Sequence, residues 1–502
     1  MDLSVVMSRA LSGLDAPLVR VETHLSNGLP AFNIVGLPET AVRESKDRVR
    51  CALLNSHFSF PDRRITVNLA PADLPKEGGR FDLPIALGIL VASGQLPADL
   101  IHHHEFLGEL ALDGSLRAVT GSMAAARSTT LDARYLVVAA QSAESAARVP
   151  NSTVIAACDL LTLCAHLNGS QPIEPTPAPP LAGEASYPDL NQVAGQLAAR
   201  RALEIAAAGA HHLLLFGPPG TGKTMLASRL PGILPAPDAE ESLCALIMRD
   251  SCENRVADKT ETIIGRPFRN PHHTASAIAL VGGGSKPRPG EVSLAHGGVL
   301  FLDELPEFSR QALEVLREPL ESGWITISRA RHKVSYPARF QLIAAMNPCP
   351  CGYLGDPERA CRCTPEQIQR YRARVSGPLL DRIDMQVPVT RLPAAQLLAQ
   401  TQNAESSYAV RQRVLQARAC QQERQGSSNA LLAPDTLAQH CALAAADKAM
   451  LEQAADRLQL SGRALHRTLR VARTIADMDD APAVSISHLS EALAYRAPST
   501  TL

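Results

Sequence analysis

An α/β fold is predicted by three apolar stretches, each ending in residues suited to holding phosphate. Leu213-Leu214-Leu215-Phe216 reads as a buried strand. It runs into Gly217-Pro218-Pro219-Gly220-Thr221-Gly222-Lys223-Thr224, and Met225-Leu226-Ala227-Ser228-Arg229-Leu230 follows as a helix. Gly298-Val299-Leu300-Phe301-Leu302 is a second strand and closes on Asp303-Glu304. Phe340-Gln341-Leu342-Ile343-Ala344-Ala345-Met346 is a third and closes on Asn347-Pro348. A G-x-x-x-x-G-K-T string is credible as a nucleotide site only between a strand and a helix, and this one has both.

Each element has a chemical reason. The glycines let backbone N–H groups close around phosphates, aided by the positive end of the following helix. Lys223 brings a point charge to the β- and γ-phosphates of ATP, and the Thr224 hydroxyl ligates Mg²⁺. Asp303 helps hold Mg²⁺, directly or through water, while Glu304 polarises the attacking water. Asn347 is expected between the two phosphate-contacting strands, positioning that water. Alone, an acidic pair caps helices and Asn-Pro marks a turn. In this order the three motifs resemble the AAA+ ATPases.

A chain of 502 residues is too long for one core, so about three domains are expected. Residues 1–168 read as a mixed α/β domain, with strands at Val19–Thr23, Ile65–Leu69 and Tyr135–Ala139 and a helix over Glu39–Leu54. Residues 169–186 form a linker around the proline-rich run Gln171–Pro180. Residues 187–392 hold the nucleotide motifs, and 393–502 read as helices, with Ser461 and Ser487 as caps.

Composition narrows the function classes. A net charge of −1 excludes a basic nucleic-acid coat, so any DNA contact must be a local patch. An aromatic content of 4% argues against extended base-stacking platforms. The run Leu83–Ala92 is too short to span a bilayer and reads as a core helix. No basic region precedes an apolar run at the N-terminus, so no signal peptide is expected. The 11 cysteines are an odd, mostly scattered set, which points to a reducing cytoplasm.

Longer strings carry a closer resemblance. They are Arg266-Pro267-Phe268-Arg269-Asn270-Pro271-His272-His273-Thr274-Ala275-Ser276, Val281 to Glu291, Ser293-Leu294-Ala295-His296-Gly297-Gly298 and Asn347-Pro348-Cys349-Pro350-Cys351-Gly352. Together they closely resemble the magnesium-chelatase-like AAA+ proteins of the ComM/YifB family, over essentially the whole chain. The resemblance implies a hexameric, ATP- and Mg²⁺-dependent DNA helicase. Such an enzyme promotes branch migration in homologous recombination when transforming single-stranded DNA is integrated, with branched DNA and recombination proteins as partners. The chelatase subunit instead remodels a protein partner. The resemblance further implies that Arg382, in Ser376–Asp384, is the finger offered to a neighbouring subunit's γ-phosphate, ahead of Arg372 and Arg374. It makes Arg463 the second sensor arginine on a helical lid, with Arg467 as the alternative.

Trp324–Val334 looks like a hairpin, and Arg329, Arg331 and Lys333 at alternate positions would share one face of a strand. Repeated around a hexamer, that face becomes a basic ring able to follow phosphates, to which Lys286 and Arg288 add a second. A solvated charged hairpin is the plainer reading.

Cys349-Pro350-Cys351 and Cys361-Arg362-Cys363 pair two C-x-C motifs. A structural Zn²⁺ site, a reduced loop without metal and redox chemistry all remain open. His102-His103-His104 reads as a surface run, and His272-His273 as packing or hydrogen bonding.

Leu74–Leu87 resembles the active-site segment of Lon-type proteases, and Gly108-Glu109-Leu110 to Gly121 the stretch leading to their lysine. On that alignment Arg80 stands at the serine position and Met123 at the lysine position, so a Lon-like (ribosomal S5 domain 2-like) fold without peptidase activity is expected.

Overall fold

The computed structural model describes residues 2–37, 42, 44–180, 185–252, 265–284, 288–329, 332–356, 358–393 and 404–496. The chain divides into two compact units. The first comprises Met1–Gly183, Ser242–Ile264 and Thr326–Tyr336; the second comprises Glu184–Glu241, Gly265–Ile325 and Pro337–Leu502.

In the first unit, β1 (Leu3–Arg9), β2 (Leu18–Ser26), β3 (Ala31–Val35), β4 (Arg64–Ala70), β5 (His104–Leu107), β6 (Tyr135–Ala139) and β7 (Val154–Ala157) form one mixed sheet in the order β3-β4-β2-β1-β5-β6-β7. Strands β1, β2 and β4 pair antiparallel; β5, β6 and β7 pair parallel. The period-2 pattern explains β2 and β4: Val19, Val21, Thr23 and Leu25 face inward with Ile65, Val67 and Leu69. Helix Asp82–Ala92 is buried along its whole length and packs on β1 and β2. Gly88 permits that closeness, because a Cβ there would collide with the Thr23 hydroxyl, and the Ser4 hydroxyl donates to the Gly88 carbonyl at 2.7 Å.

Strands Trp324–Arg329 and His332–Pro337 pair as a two-stranded ribbon. This corrects the single-face expectation. Arg329 ends one strand and Lys333 lies on the next, so the two cations are not alternate residues of one strand. The Arg329 side chain and Arg331 lie outside the described residues.

The second unit holds β8 (Leu213–Phe216), β9 (Phe268–Arg269), β10 (Val299–Leu302), β11 (Gln341–Met346) and β12 (Met385–Pro388) in one parallel sheet, order β9-β10-β11-β8-β12. All four residues of β8 and of β10, and all six of β11, are buried, which is why they read as continuous apolar runs. Helix Leu197–Gly209 is alanine-rich where it packs, burying Ala199, Ala202, Ala206, Ala207 and Ala208 in the same core as Val410, Val414 and Ala417 of helix Ser407–Gln425 and Val471, Ala472 and Ile475 of helix Gly462–Met478. Ser461 caps that last helix, accepting from the Ala464 N–H at 3.2 Å. The final helix, Ile486–Ala494, is capped by Ser485 rather than Ser487: His488 folds back so that its Nδ1 accepts from the Ser485 N–H at 3.1 Å.

One buried carboxylate ties the helical region to the sheet. Asp384, immediately before β12, accepts from Arg467 at 2.6 Å and from the His212 N–H at 2.8 Å. Burial alone would push its carboxyl up; His211, 3.8 Å away, and Arg467 outweigh burial and hold it well below the usual carboxylate range. A carboxyl depressed in the folded state stabilises above its unfolded pKa of about 3.9 and loses that contribution as pH falls further. Asp384→Asn is therefore expected to cost about 3 kcal/mol at pH 7. The gap to wild type in urea unfolding should narrow between about pH 5 and pH 3; a gap that stays constant would remove the ionic explanation.

Candidate functional site

The phosphate loop leaves β8 at Phe216. The Gly217 N–H donates to the Met346 carbonyl at 3.2 Å, and Thr221 Oγ1 donates to the Pro218 carbonyl at 3.0 Å. Gly220 and Gly222 take left-handed φ values of 76° and 88°, which glycine adopts without strain. Lys223 then opens helix Lys223–Ala227 and turns its ammonium back into the loop. Its Nζ donates to the carbonyls of Gly217 at 2.7 Å and Pro218 at 2.8 Å and to Asn347 Oδ1 at 3.1 Å. Burial lowers the Lys223 pKa to about 8, against the pull of Asp303 and Glu304.

Because β11 pairs with both β8 and β10, Asn347 emerges between the phosphate loop and the acidic pair. Thr224 Oγ1 donates to Asp303 Oδ2 at 2.7 Å, and the Glu304 N–H donates to Asp303 Oδ1 at 2.9 Å. A hydroxyl and a carboxylate in contact are the hard oxygen donors Mg²⁺ takes, so the residues present fit that ion. Glu304 has a φ of 51°, a left-handed conformation costing a non-glycine residue about 1–2 kcal/mol. The bend carries its side chain off the strand and into solvent.

Sequence reasoning missed one partner. His273 Nδ1 lies 3.4 Å from Glu304 Oε2, and the His272 and His273 rings sit 4.1 Å apart. The pair falls in the loop after β9, and a separation of 31 positions leaves no local pattern that links His273 to Glu304.

The arginines are engaged as follows. Arg382 is only 5% exposed: it forms an ion pair with Glu321 and donates to the Pro378 carbonyl at 2.7 Å, so it is turned inward in this chain. Burial lowers its pKa, as do the charges of Arg317, Arg463 and Arg467, while Glu321 opposes them. Arg463 is exposed and close enough to Arg382 to act on it. Arg467 is committed to Asp384 and to the Arg382 carbonyl at 2.8 Å. Arg374 is half-exposed and pairs with Glu307 at 2.8 Å; Arg372 donates to the Pro348 carbonyl at 3.3 Å. Arg288 is exposed on strand Arg288–Pro289, which pairs antiparallel with Gly282–Gly283. Lys333 is exposed, and Lys286 lies outside the described residues.

The four C-x-C cysteines converge. The sulfurs of Cys349, Cys351, Cys361 and Cys363 all lie within 4.8 Å of one another. A regular tetrahedron with Zn–S bonds of about 2.3 Å has edges near 3.8 Å, so four thiolates at this spacing fit Zn²⁺.

In the first unit, Arg80 donates to the Thr120 carbonyl at 3.0 Å, bringing together the segments aligned with the Lon serine and lysine. Met123 is buried, and its N–H donates to Asp250 Oδ2 at 2.8 Å. No serine hydroxyl faces a lysine amine among the described residues there.

The chain matches the family of magnesium chelatase subunit ChlI in three segments: the main domain over residues 189–397, the C-terminal domain over 404–496 and a further ChlI segment over 21–142. It is 50% identical to competence protein ComM of Haemophilus influenzae over 99% of this chain and 98% of that one. It is 49% identical to the YifB protein of Salmonella typhimurium over 99% and 97%. The chloroplastic magnesium-chelatase subunit ChlI of Oryza sativa subsp. indica matches at 37% over only 14% of this chain and 17% of its own. The chain belongs to the ComM/YifB family of magnesium-chelatase-like AAA+ proteins. In this family member, among the described residues, no helix is long and apolar enough to cross a membrane.

If Glu304 polarises the attacking water, as the sequence predicts, Glu304→Gln should leave ATP affinity within about twofold of wild type and lower kcat by at least about 10²-fold, with Lys223 and Thr224 still in place. Equilibrium binding and steady-state hydrolysis measure the two separately; an unchanged kcat would remove Glu304 from the chemistry.

Proposed function

We propose that the protein is an ATP-driven DNA motor, a hexameric helicase that moves branch points during homologous recombination and the integration of transforming DNA. The observation that carries this reading is the contact of Lys223, Thr224, Asp303 and Asn347 across three adjacent parallel strands, in a chain half identical to a competence protein along its full length. ATP and Mg²⁺ bind at that edge. Glu304 orients the attacking water, and His273 is its partner before the nucleotide arrives.

Arg382 acts in trans, and Arg463 is the second sensor arginine on the helical lid. Arg317, Arg463 and Arg467 crowd Arg382 with positive charge, and Glu321 is the carboxylate paired with it. The γ-phosphate of a neighbouring subunit would replace Glu321 and meet that excess of charge. Lys333 and Arg288, with Arg329, Arg331 and Lys286, supply the phosphate-following surface. The first unit is a Lon-like domain without the serine–lysine dyad, so the protein is not a protease.

A labelled three-stranded junction with ATP and Mg²⁺ tests the motor. Wild type should drive strand exchange and Lys223→Ala should not. ATP hydrolysis that is indifferent to DNA but stimulated by a protein would favour remodelling of a protein partner instead. Mixing tests the trans arginine. Arg382→Ala and Lys223→Ala subunits should each be inactive alone and recover hydrolysis when combined, since each supplies what the other lacks. Recovery no greater than the sum of the two separate activities would return Arg382 to a structural role.

A further inference from the structure

We propose that Cys349, Cys351, Cys361 and Cys363 bind one Zn²⁺, and that the bound ion sets the rate of ATP turnover by clamping Asn347 against the phosphate loop. The turnover half rests on the reading of the site as an ATPase; the metal half does not.

The geometry is that of a closed metal site. The Cys349 sulfur lies 3.4 Å from that of Cys351 and 3.6 Å from that of Cys361, and the Cys351 and Cys361 sulfurs are 3.6 Å apart. These separations are far beyond the roughly 2.05 Å of a disulfide and close to the roughly 3.8 Å edge of a zinc tetrathiolate. Backbone N–H groups already point at the sulfurs: Cys351 donates to Cys363 Sγ, and Cys363 to Cys361 Sγ, each at 3.4 Å. Such donors spread thiolate charge and fix ligand direction. The donor set is four soft sulfurs without carboxylate or imidazole, which disfavours Mg²⁺ and leaves no open position for catalysis. Loading replaces thiol protons with the metal and releases them to solvent, and no electron moves.

The site is joined to the nucleotide edge at three points. Asn347, which accepts from Lys223, is two residues before Cys349. Gly352 follows Cys351 with a φ of 82°, and a Cβ on it would come within 2.6 Å of Pro219 Cδ in the phosphate loop, so the metal turn rests directly on that loop. Cys363 is followed by Thr364, whose side chain caps helix Pro365–Arg372. Near that helix's end, Tyr371 is buried with its hydroxyl toward the Asn347 N–H, and Arg372 donates to the Pro348 carbonyl. One ion therefore closes the loop between β11 and this helix and holds both ends where Asn347 emerges.

The experiment uses the full-length reduced protein, stripped of metal and titrated with Co²⁺ as a spectroscopic probe. One Co²⁺ per chain should give the absorption of a tetrahedral tetrathiolate, be displaced by Zn²⁺, and be lost in Cys361→Ser. The stripped wild type should bind a non-hydrolysable fluorescent ATP analogue about as well as the zinc-loaded form, yet turn over ATP at least about tenfold more slowly, and recover on adding Zn²⁺. Gly352→Ala should keep the cobalt spectrum but lose turnover, because it disturbs the contact with Pro219 and not the ligands.

Absence of a stoichiometric thiolate spectrum overturns the metal site. Equal kcat with and without zinc overturns the clamp. If a cysteine variant fails to fold, stripping and reloading the wild type still tests both the metal site and the clamp. If both forms bind nucleotide and neither hydrolyses it, the ATPase reading falls together with the clamp, while the cobalt spectrum still decides the metal site.

Discussion

The parallel pairing of β11 with β8 on one side and β10 on the other is the constraint on which the site depends. In a parallel sheet the carboxyl ends of neighbouring strands finish at one edge, so residues far apart in sequence meet there without any further device. Register does the rest. Phe216 lies opposite Met346 and Leu302 opposite Ala344, which brings the phosphate loop, Asn347 and Asp303 to similar heights. The Lys223–Asn347 and Thr224–Asp303 contacts follow from that register. A slip of one residue in β11 would turn its side chains to the opposite face of the sheet and move Asn347 away from Lys223.

The parts that sequence reasoning reached are those whose cause is local. The phosphate loop is legible because Gly220 and Gly222 need left-handed backbone, and β10 and β11 because burial on both faces leaves them, Gln341 aside, apolar. The pairings that depend on distant chain were not legible. Arg382 is 61 positions from Glu321, and nothing around Ser376–Asp384 announces that its arginine turns inward. The bend at Glu304 is a backbone conformation unusual for glutamate, and the apolar run before it does not encode its direction. The last helix begins at Ser485 and not Ser487 because His488 folds back on the chain.

Arg382 and Arg467 lie in contact but hold their charges differently. Arg467 commits its charge to a carboxylate buried to 2% exposure and donates to the Arg382 carbonyl, so it holds the backbone that carries Arg382. Leaving Asp384 would strand a buried charge, which is costly. Arg382 faces Glu321, whose side chain is 52% exposed, so the carboxylate it would give up remains hydrated after release. The two pairs differ in how readily they exchange partners: opening the Arg382 pair releases a hydrated carboxylate, whereas opening the Arg467 pair strands the Asp384 carboxylate in the core.

The first unit reaches a similar division in its interior. Burial pushes the Asp250 carboxyl up to about 6 and the Arg80 guanidinium down to about 10. Asp250 belongs to helix Ala239–Cys252, whose Ile247 shares a core with Met123 and Ala126. Its carboxylate takes the Met123 N–H at the start of helix Ser122–Leu131, and the Ser122 hydroxyl lies 3.3 Å from Asp250 Oδ2. Arg80, for its part, donates to the Thr120 carbonyl at 3.0 Å. The polar groups of this segment hold the start of a helix in place.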